Sequence, residues 1–166
     1  MPASRKDLFD FFDAHGIKHN TYEHAPVFTV EDSASIKADM PGAHTKNLFL
    51  KDKNGDYFLV CAEAHAAIRV NRLHRVLGCK RLSFGKPDAM LDFLGVTPGS
   101  VTLFGVLNDK DQTVTLIIDK TLADADIVNF HPLLNNATTA ISSKDMIHFA
   151  KSTGHDPVIM DFSTLE

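Results

Sequence analysis

The fold is decided by the stretch Lys46-Asn47-Leu48-Phe49-Leu50-Lys51, continued by Lys53-Asn54-Gly55-Asp56 and by Tyr57-Phe58-Leu59-Val60-Cys61-Ala62. Two apolar runs flank a polar turn that contains an Asn-Gly pair. Such a pair is the strongest short-range signal of a β-hairpin, because both central residues of a type I′ turn need positive φ. The sequence therefore predicts an antiparallel hairpin near the middle of the chain.

Helices and further strands are predicted on both sides of this hairpin. Capping residues and Gly or Pro punctuation mark their ends, and apolar periodicity marks their inner faces. The predicted helices are 4–16 (capped by Ser4), 29–38, 68–78, 87–95 and 143–154 (capped by Ser143), and the further predicted strands are 17–22, 101–107 and 113–119. This order predicts an α/β (α+β) domain with a mixed, largely antiparallel sheet and flanking helices.

Length and composition predict one globular domain spanning 1–166. The chain has 166 residues, of which 44% are hydrophobic and 23% charged, which is ordinary for a folded domain. Its two cysteines form no CxxC pair, so no disulfide framework is expected. No apolar run approaches the length of about 20 residues that spans a bilayer, and the N-terminus lacks a signal-peptide core. We therefore expect a cytoplasmic protein with no membrane association.

The charge distribution is uneven. From residue 64 to 87 there is no aspartate or glutamate and there are six lysines and arginines, so this window carries +6 while the whole chain carries −4. A basic window on an acidic chain indicates a local anionic partner. The alternative is a solvated helix face whose charges are neutralised by acids from elsewhere in the chain.

Familiar catalytic signatures are absent. There is no GxxxxGK[ST], GxGxxG, HExxH or GxSxG motif. The nine histidines include no pair at i, i+4 within a predicted helix, so neither a catalytic metal nor a cofactor is expected.

Lys46 and Asn47 form the first candidate site. They open an apolar strand directly after a loop that contains Gly42, and strand ends beside loops are common places for functional side chains. Lysine supplies positive charge, and asparagine supplies both donors and an acceptor. The alternative is a charged strand edge that discourages aggregation.

His131 begins the second candidate site. It precedes Pro132 and is followed by the polar stretch 135–139, which includes Thr138. A histidine fixed beside amides and hydroxyls is suited to lining a polar pocket, although a histidine satisfied within its own loop is the alternative. Gly105, within the predicted strand 101–107, permits either close approach of a ligand to the backbone or a β-bulge.

Together these segments resemble the YbaK/prolyl-tRNA-synthetase-associated domain family, and most of all its free-standing ProX-type members, which deacylate alanyl-tRNA for proline. The resemblance runs from about residue 20 to 160. The matching stretches are Tyr22-Glu23-His24-Ala25-Pro26-Val27-Phe28-Thr29, Lys46-Asn47-Leu48-Phe49-Leu50, Val101-Thr102-Leu103-Phe104-Gly105, His131-Pro132-Leu133 and Asn135-Asn136-Ala137-Thr138-Thr139.

The resemblance implies a sheet curled into a partial barrel, and hydrolysis of an aminoacyl ester without a metal. It implies a central role for Lys46 and substrate contacts that include Asn47, Gly105 and His131. Thr29 and Thr138, which lie in the matching stretches, are expected to bind substrate as well. The basic window is then expected to contact tRNA through Arg69, Arg72, Arg75, Lys80 and Arg81.

The expected substrate is the proline tRNA mischarged with alanine, as the form of the lysine motif indicates. Prolyl-tRNA synthetase or an elongation factor is an expected transient partner. Three alternatives remain open: a cysteine or serine ester of tRNA, a non-catalytic module that binds tRNA or DNA, and an enzyme acting on a free aminoacyl compound.

Overall fold

A computed structural model describes residues 2–26 and 40–162. Strands and helices alternate irregularly along the described chain. The strands are β1 (Asn20–Glu23), β2 (Ala43–Asp52), β3 (Tyr57–Glu63), β4 (Leu82–Phe84), β5 (Val114–Asp119), β6 (Ile127–Phe130), β7 (Ala137–Ser142) and β8 (Val158–Met160). The α-helices are α1 (Arg5–Ala14), α2 (Val70–Leu77), α3 (Pro87–Leu94), α4 (Lys120–Asp124) and α5 (Ser143–Ser152), and a 3-10 helix spans Leu103–Asn108. The predicted helix 29–38 and Thr29 lie outside the described residues.

The predicted hairpin is confirmed. β2 and β3 pair antiparallel, with Lys46 opposite Ala62. Gly55 in the turn has a φ of 89°, a conformation that costs glycine little. The Asp52 carboxylate closes the turn by accepting hydrogen bonds from the backbone N–H groups of Asn54 at 3.0 Å and Asp56 at 2.9 Å.

The sheet has the strand order β1-β7-β6-β2-β3-β5-β8, with β4 paired to β2. Four pairings are antiparallel (β1–β7, β6–β7, β2–β3, β2–β4) and three are parallel (β2–β6, β3–β5, β5–β8). The predicted mixed, largely antiparallel sheet is therefore confirmed, and among the described strands it is open at β1 and β8 rather than closed.

Each face of the sheet covers its own hydrophobic core. The main core centres on Phe104, whose ring meets those of Phe12, Phe130 and Phe149 edge-on at centroid distances of 5.2, 5.4 and 5.3 Å. The second core, which includes Leu50, lies under α2. Alternating residues of β3 serve the two cores, because successive side chains of a strand point to opposite faces.

The prediction of a strand at 101–107 is wrong, since this segment contains the 3-10 helix Leu103–Asn108. Thr102 caps that helix, and its hydroxyl accepts a hydrogen bond from the N–H of Phe104 at 3.4 Å. Leu103, Phe104 and Val106 are all buried, so burial does not alternate as in a half-exposed strand. A short continuous apolar run has no period that separates strand from helix.

The remaining helix predictions hold with shifted ends. Ser4 forms a capping box with Asp7 at the start of α1. The final helix is capped by Ser142, whose hydroxyl accepts from the N–H of Asp145 at 3.1 Å, and not by Ser143 as predicted. The first strand begins at Asn20, later than the predicted residue 17, because Ile17 turns into the main core.

Candidate active site

One edge of β2 pairs with β3, and within the described ranges the other edge is unpaired in the middle of its length. That second edge pairs with β6 through Ala43 and His44, and with β4 through residues 50–52. β6 and β4 thus approach β2 from its two ends and leave residues 45–48 without a strand partner on this edge among the described residues. We call this stretch of edge the β2 gap.

Lys46 and His131 both lie two residues beyond the last described pair of β2 and β6, which joins His44 with Asn129. Lys46 shares the second-core face with its partner Ala62. His131 follows Phe130, the last residue of β6.

The Lys46 ammonium group is held at the loop that leads into α2. Its Nζ donates a hydrogen bond to the carbonyl oxygen of Ala66. An ammonium group has three N–H donors, and among residues 2–26 and 40–162 the Ala66 carbonyl is the one acceptor bonded to it. The contact also fixes where the positive charge sits, and the side chain is half-buried rather than freely solvated.

His131 is oriented by a backbone carbonyl. Its Nδ1 lies 3.2 Å from the carbonyl oxygen of Ala137, which can only accept, so Nδ1 carries the proton and Nε2 of the neutral ring is an acceptor. Burial lowers the pKa of His131 below its ordinary value of 6.5, and charge on His24 lowers that pKa further, while the Ala137 carbonyl acts in the opposite direction. His131 is therefore neutral at pH 7.

Thr138 lies beside His131 but its hydroxyl is engaged by His24. The Nδ1 of His24 lies 2.8 Å from the carbonyl oxygen of Ala25 and so acts as donor, and its Nε2 lies 2.8 Å from the hydroxyl oxygen of Thr138. Sequence reasoning gave His24 no role. The β1–β7 pairing, which sets Tyr22 opposite Thr138, is what brings His24 here, and no local pattern encodes that pairing.

Arg5 supports this cluster from α1, and the sequence gave no sign of it. Its guanidinium donates to the carboxylate of Glu23 and, at 2.8 Å, to Oδ1 of Asn136. The backbone carbonyl of Asn136 in turn accepts from the N–H of His24 at 3.0 Å. Arg5 thus ties the end of β1 to the loop that follows His131.

Asn47 points to the other face of the sheet, because its partner Cys61 lies in the main core. Its Nδ2 is 3.4 Å from the hydroxyl oxygen of Thr45, and that hydroxyl donates to the carbonyl of Asn129 at 2.7 Å. The Oδ1 of Asn47 is buried and has no partner among the described residues. A buried acceptor of this kind calls for a donor, which a substrate or water at the β2 gap would supply.

Gly105 does not lie in a strand, and the structure accounts for it by packing. A Cβ at this position would lie 3.0 Å from both the Cβ and the carbonyl oxygen of Leu94. The 3-10 helix therefore approaches α3 as closely as it does because residue 105 is glycine. A lining role for Gly105 stays a prediction.

The basic residues of the acid-free window lie on α2 and on the segments beside it. Arg69, Arg72, Arg75, Lys80 and Arg81 are all exposed. Within the described ranges, none of the five lies within 4.0 Å of a carboxylate oxygen. The charges of this surface, called the α2 surface below, are not neutralised by ion pairs in the part of the chain that the structure describes.

In the part of the chain that the structure describes, no cluster of metal ligands and no reactive thiol is found at the β2 gap. Among residues 2–26 and 40–162, no three His, Cys, Asp or Glu side chains converge as metal ligands would. Cys61 and Cys79 are both free, and complete burial raises the pKa of the Cys61 thiol well above its ordinary range. No helix in the described segments is both long enough and apolar enough to cross a bilayer.

Comparison with known proteins identifies the family. Residues 24–149 match the model of the aminoacyl-tRNA editing domain. The chain is 37% identical over 163 residues to Prolyl-tRNA synthetase associated domain-containing protein 1 of Mus musculus, covering 95% of this chain and 96% of that protein. It is 35% identical over 140 residues to Prolyl-tRNA editing protein ProX of Acetoanaerobium sticklandii, covering 84% and 85%.

A solved structure proposed to be a trans-editing enzyme for prolyl tRNA synthetase shares the fold, with a TM-score of 0.69, 16% identity, and coverage of 97% of this chain and 98% of that one. The chain belongs to the aminoacyl-tRNA editing domain family. Membership confirms the predicted enzyme class: the protein is an aminoacyl-tRNA deacylase, a hydrolase of the ester that joins an amino acid to tRNA.

Proposed function

We propose that this protein hydrolyses alanine from mischarged proline tRNA, with Lys46 as the catalytic cation and His131 as the amino-acid contact. The observation that carries the proposal is the fixed position of the Lys46 ammonium group, whose Nζ donates to the carbonyl oxygen of Ala66. The similarity to Prolyl-tRNA editing protein ProX supports proline tRNA as the carrier.

Lys46 acts on the charge that develops at the ester. Attack of water forms a bond to the carbonyl carbon, the bond to the ribose oxygen breaks, one water proton ends on the released hydroxyl, and the other leaves as the alanine carboxyl group ionises. Negative charge builds on the carbonyl oxygen during attack, and a fixed N–H donor lowers the barrier by stabilising that charge. The bond to Ala66 holds Lys46 in place beforehand.

His131 receives the ammonium group of the substrate. A neutral imidazole with Nε2 free to accept suits a cationic donor, whereas a charged imidazolium would repel it. Burial keeps the ring neutral by lowering its pKa, and the hydrogen bond to Ala137 keeps the proton on Nδ1 so that Nε2 is the acceptor. Asn47, Thr138 and Gly105 are proposed as neighbouring contacts, and Thr29 remains proposed on the resemblance alone.

Specificity for alanine follows from size. A synthetase site built for proline rejects alanine weakly, because a missing methylene costs only about 1–3 kcal/mol of binding energy. A second site too small for proline accepts alanine and excludes proline by steric clash, which is the double-sieve arrangement.

The α2 surface is proposed to hold the tRNA. Its five cations are exposed and free of ion pairs within the described residues, as phosphate contacts require. Transient contact with prolyl-tRNA synthetase or an elongation factor, and a cytoplasmic location, belong to the same proposal, because mischarged tRNA occurs where translation takes place.

A release assay tests the proposal. Labelled Ala-tRNA, Pro-tRNA, Cys-tRNA and Ser-tRNA are incubated with the protein, and free amino acid is counted. We expect fast release from Ala-tRNA alone. Preferred release of cysteine or serine would replace the substrate but keep the mechanism, and binding without release from any of the four would assign a non-catalytic module.

A further inference from the structure

The hydroxyl group of Thr45 lies between Asn47 and strand β6. Thr45 and Asn47 are two residues apart on β2, so their side chains share the main-core face of the sheet, and both are half-buried. Thr45 directly follows His44, the last residue of β2 that is described as paired with β6, so it is the first residue of the β2 gap. The chemistry proposed for Lys46 and His131 gives Thr45 no role.

The proton of the Thr45 hydroxyl is committed to the backbone of β6. Its Oγ1 lies 2.7 Å from the carbonyl oxygen of Asn129, which can only accept, so the hydroxyl is the donor. This acceptor is held firmly, because Asn129 is 2% exposed and its Nδ2 donates to the carbonyl oxygens of Pro41 at 3.1 Å and Ala43 at 3.2 Å. Thr45 Oγ1 therefore offers only lone pairs to a second neighbour.

These lone pairs decide which way the amide group of Asn47 points. An asparagine amide has an NH2 donor on one side and an oxygen acceptor on the other, and the surrounding hydrogen bonds determine its orientation. Because Thr45 Oγ1 can only accept, it selects the NH2 group of Asn47, whose nitrogen lies 3.4 Å away. The Oδ1 of Asn47 is thereby turned away from Thr45, and it is buried without a partner among the described residues.

We propose that Thr45 is a positioning residue of the editing reaction, whose hydroxyl orients the Asn47 amide so that Oδ1 accepts a hydrogen bond from the ammonium group of the substrate. This proposal rests on the proposed function, in which Asn47 contacts the substrate. A buried acceptor without a partner is unfavourable, and an ammonium group has three donors and no acceptor. A reversed amide would set its NH2 group against that ammonium group and would lose the bond.

Removal of the hydroxyl alone tests the proposal. Thr45→Val keeps the shape of the side chain, and Thr45→Ser keeps the hydroxyl. We expect kcat/KM for Ala-tRNA to fall about 2- to 12-fold in Thr45→Val, the value of one hydrogen bond, and to stay near the wild-type value in Thr45→Ser. Thr21→Val is the matched control, because it removes a strand hydroxyl that lies 2.7 Å from the hydroxyl of Thr139, and it should keep the wild-type kcat/KM. An unchanged kcat/KM in Thr45→Val would overturn the proposal.

A double-mutant cycle separates positioning from a general effect on β2. Asn47→Ala has no amide to orient, so adding Thr45→Val to it should cause no further loss of kcat/KM. Thr45→Val should also cause no loss with lactyl-tRNA, in which a hydroxyl group replaces the ammonium group, because a hydroxyl can both donate and accept. The full loss in either case would contradict positioning and would assign the Thr45 hydroxyl to support of the strand.

Nuclear magnetic resonance observes the Asn47 amide without catalysis. In the wild-type protein, the side-chain NH2 protons of Asn47 should show nuclear Overhauser contacts to the Thr45 side chain, and the absence of these contacts would overturn the proposal. Their presence in a protein that releases no amino acid from any aminoacyl-tRNA would instead contradict the proposed function and leave the orientation of the amide in place.

Discussion

At the scale of single residues, His131 shows how burial selects a chemical state. Its ring is held by one carbonyl, and its pKa is lowered by burial. Because the folded-state pKa lies below 6.5, the neutral acceptor form persists at pH 7 and is lost only as the pH falls through that lowered pKa.

Deacylation should therefore fall at acid pH through protonation of His131. His131→Gln keeps an acceptor that does not titrate, so the variant should lose this acid limb from its pH–rate profile. His131→Ala should lose about 10- to 150-fold at pH 7, the value of one hydrogen bond to a charged group. Single-turnover rates from pH 5 to 8 provide the measurement, with His148→Gln as control. An acid limb that persists in His131→Gln would remove the assignment.

A second residue-scale prediction concerns stability alone. Asp109 is buried and accepts hydrogen bonds from Val114 N–H and from His155 Nε2, both at 2.8 Å. Asp109→Ala should lower the free energy of unfolding by about 1–3 kcal/mol for each buried donor that it leaves without an acceptor. Urea denaturation measures this loss. A loss below about 1 kcal/mol would mean that water replaces the carboxylate.

At the scale of elements, α2 and the residues that follow it carry the tRNA proposal. Neutralising Arg69, Arg72, Arg75, Lys80 and Arg81 should weaken tRNA binding and lower the slope of log K against log salt by about 0.7 to 0.9 per lost phosphate contact. Neutralising five exposed lysines elsewhere makes a control of equal charge: Lys6, Lys18, Lys110, Lys120 and Lys144. Equal slopes in the two variants would assign α2 to a solvated face.

Elements with strong local signals were predictable from sequence. The Asn-Gly hairpin, the Ser4 capping box and the glycine that ends α2 were all recovered, because each depends on a few neighbouring residues. Strands β4 and β8 have only three residues each and were missed, since they are stabilised by their partners rather than by their own pattern.

The candidate site follows the same rule. Lys46 and His131 carry their own sequence signals, and their roles stay predictions. His24 and Arg5 contribute only through strand pairing and a contact between α1 and the end of β1, which no local pattern records.

At the scale of the whole molecule, an open mixed sheet joins the proposed editing site and the α2 surface. We expect the enzyme to work without a bound metal, on the absence of ligand spacing in the sequence. Deacylation of Ala-tRNA should keep its full rate after dialysis against excess chelator. A loss that added zinc restores would make some of the nine histidines ligands.

The central claim is that Lys46 stabilises the charge that forms on the ester, and single-turnover deacylation of Ala-tRNA by Lys46→Ala tests it most directly. Removing one donor to a developing oxyanion costs about 10²-fold or more in rate. We expect a loss of that size in Lys46→Ala, with near-normal tRNA affinity. Lys46→Arg should lose less activity because arginine keeps the positive charge, but it should still lose some because its planar guanidinium fits a shaped pocket poorly.

Lys46→Ala removes one hydrogen bond, the one to the Ala66 carbonyl, so the free energy of unfolding should fall by only about 1 kcal/mol. Lys6→Ala, which removes an exposed lysine from α1, should retain the wild-type rate. A full single-turnover rate in Lys46→Ala would contradict the account, because Lys46 would then serve only to anchor the loop before α2.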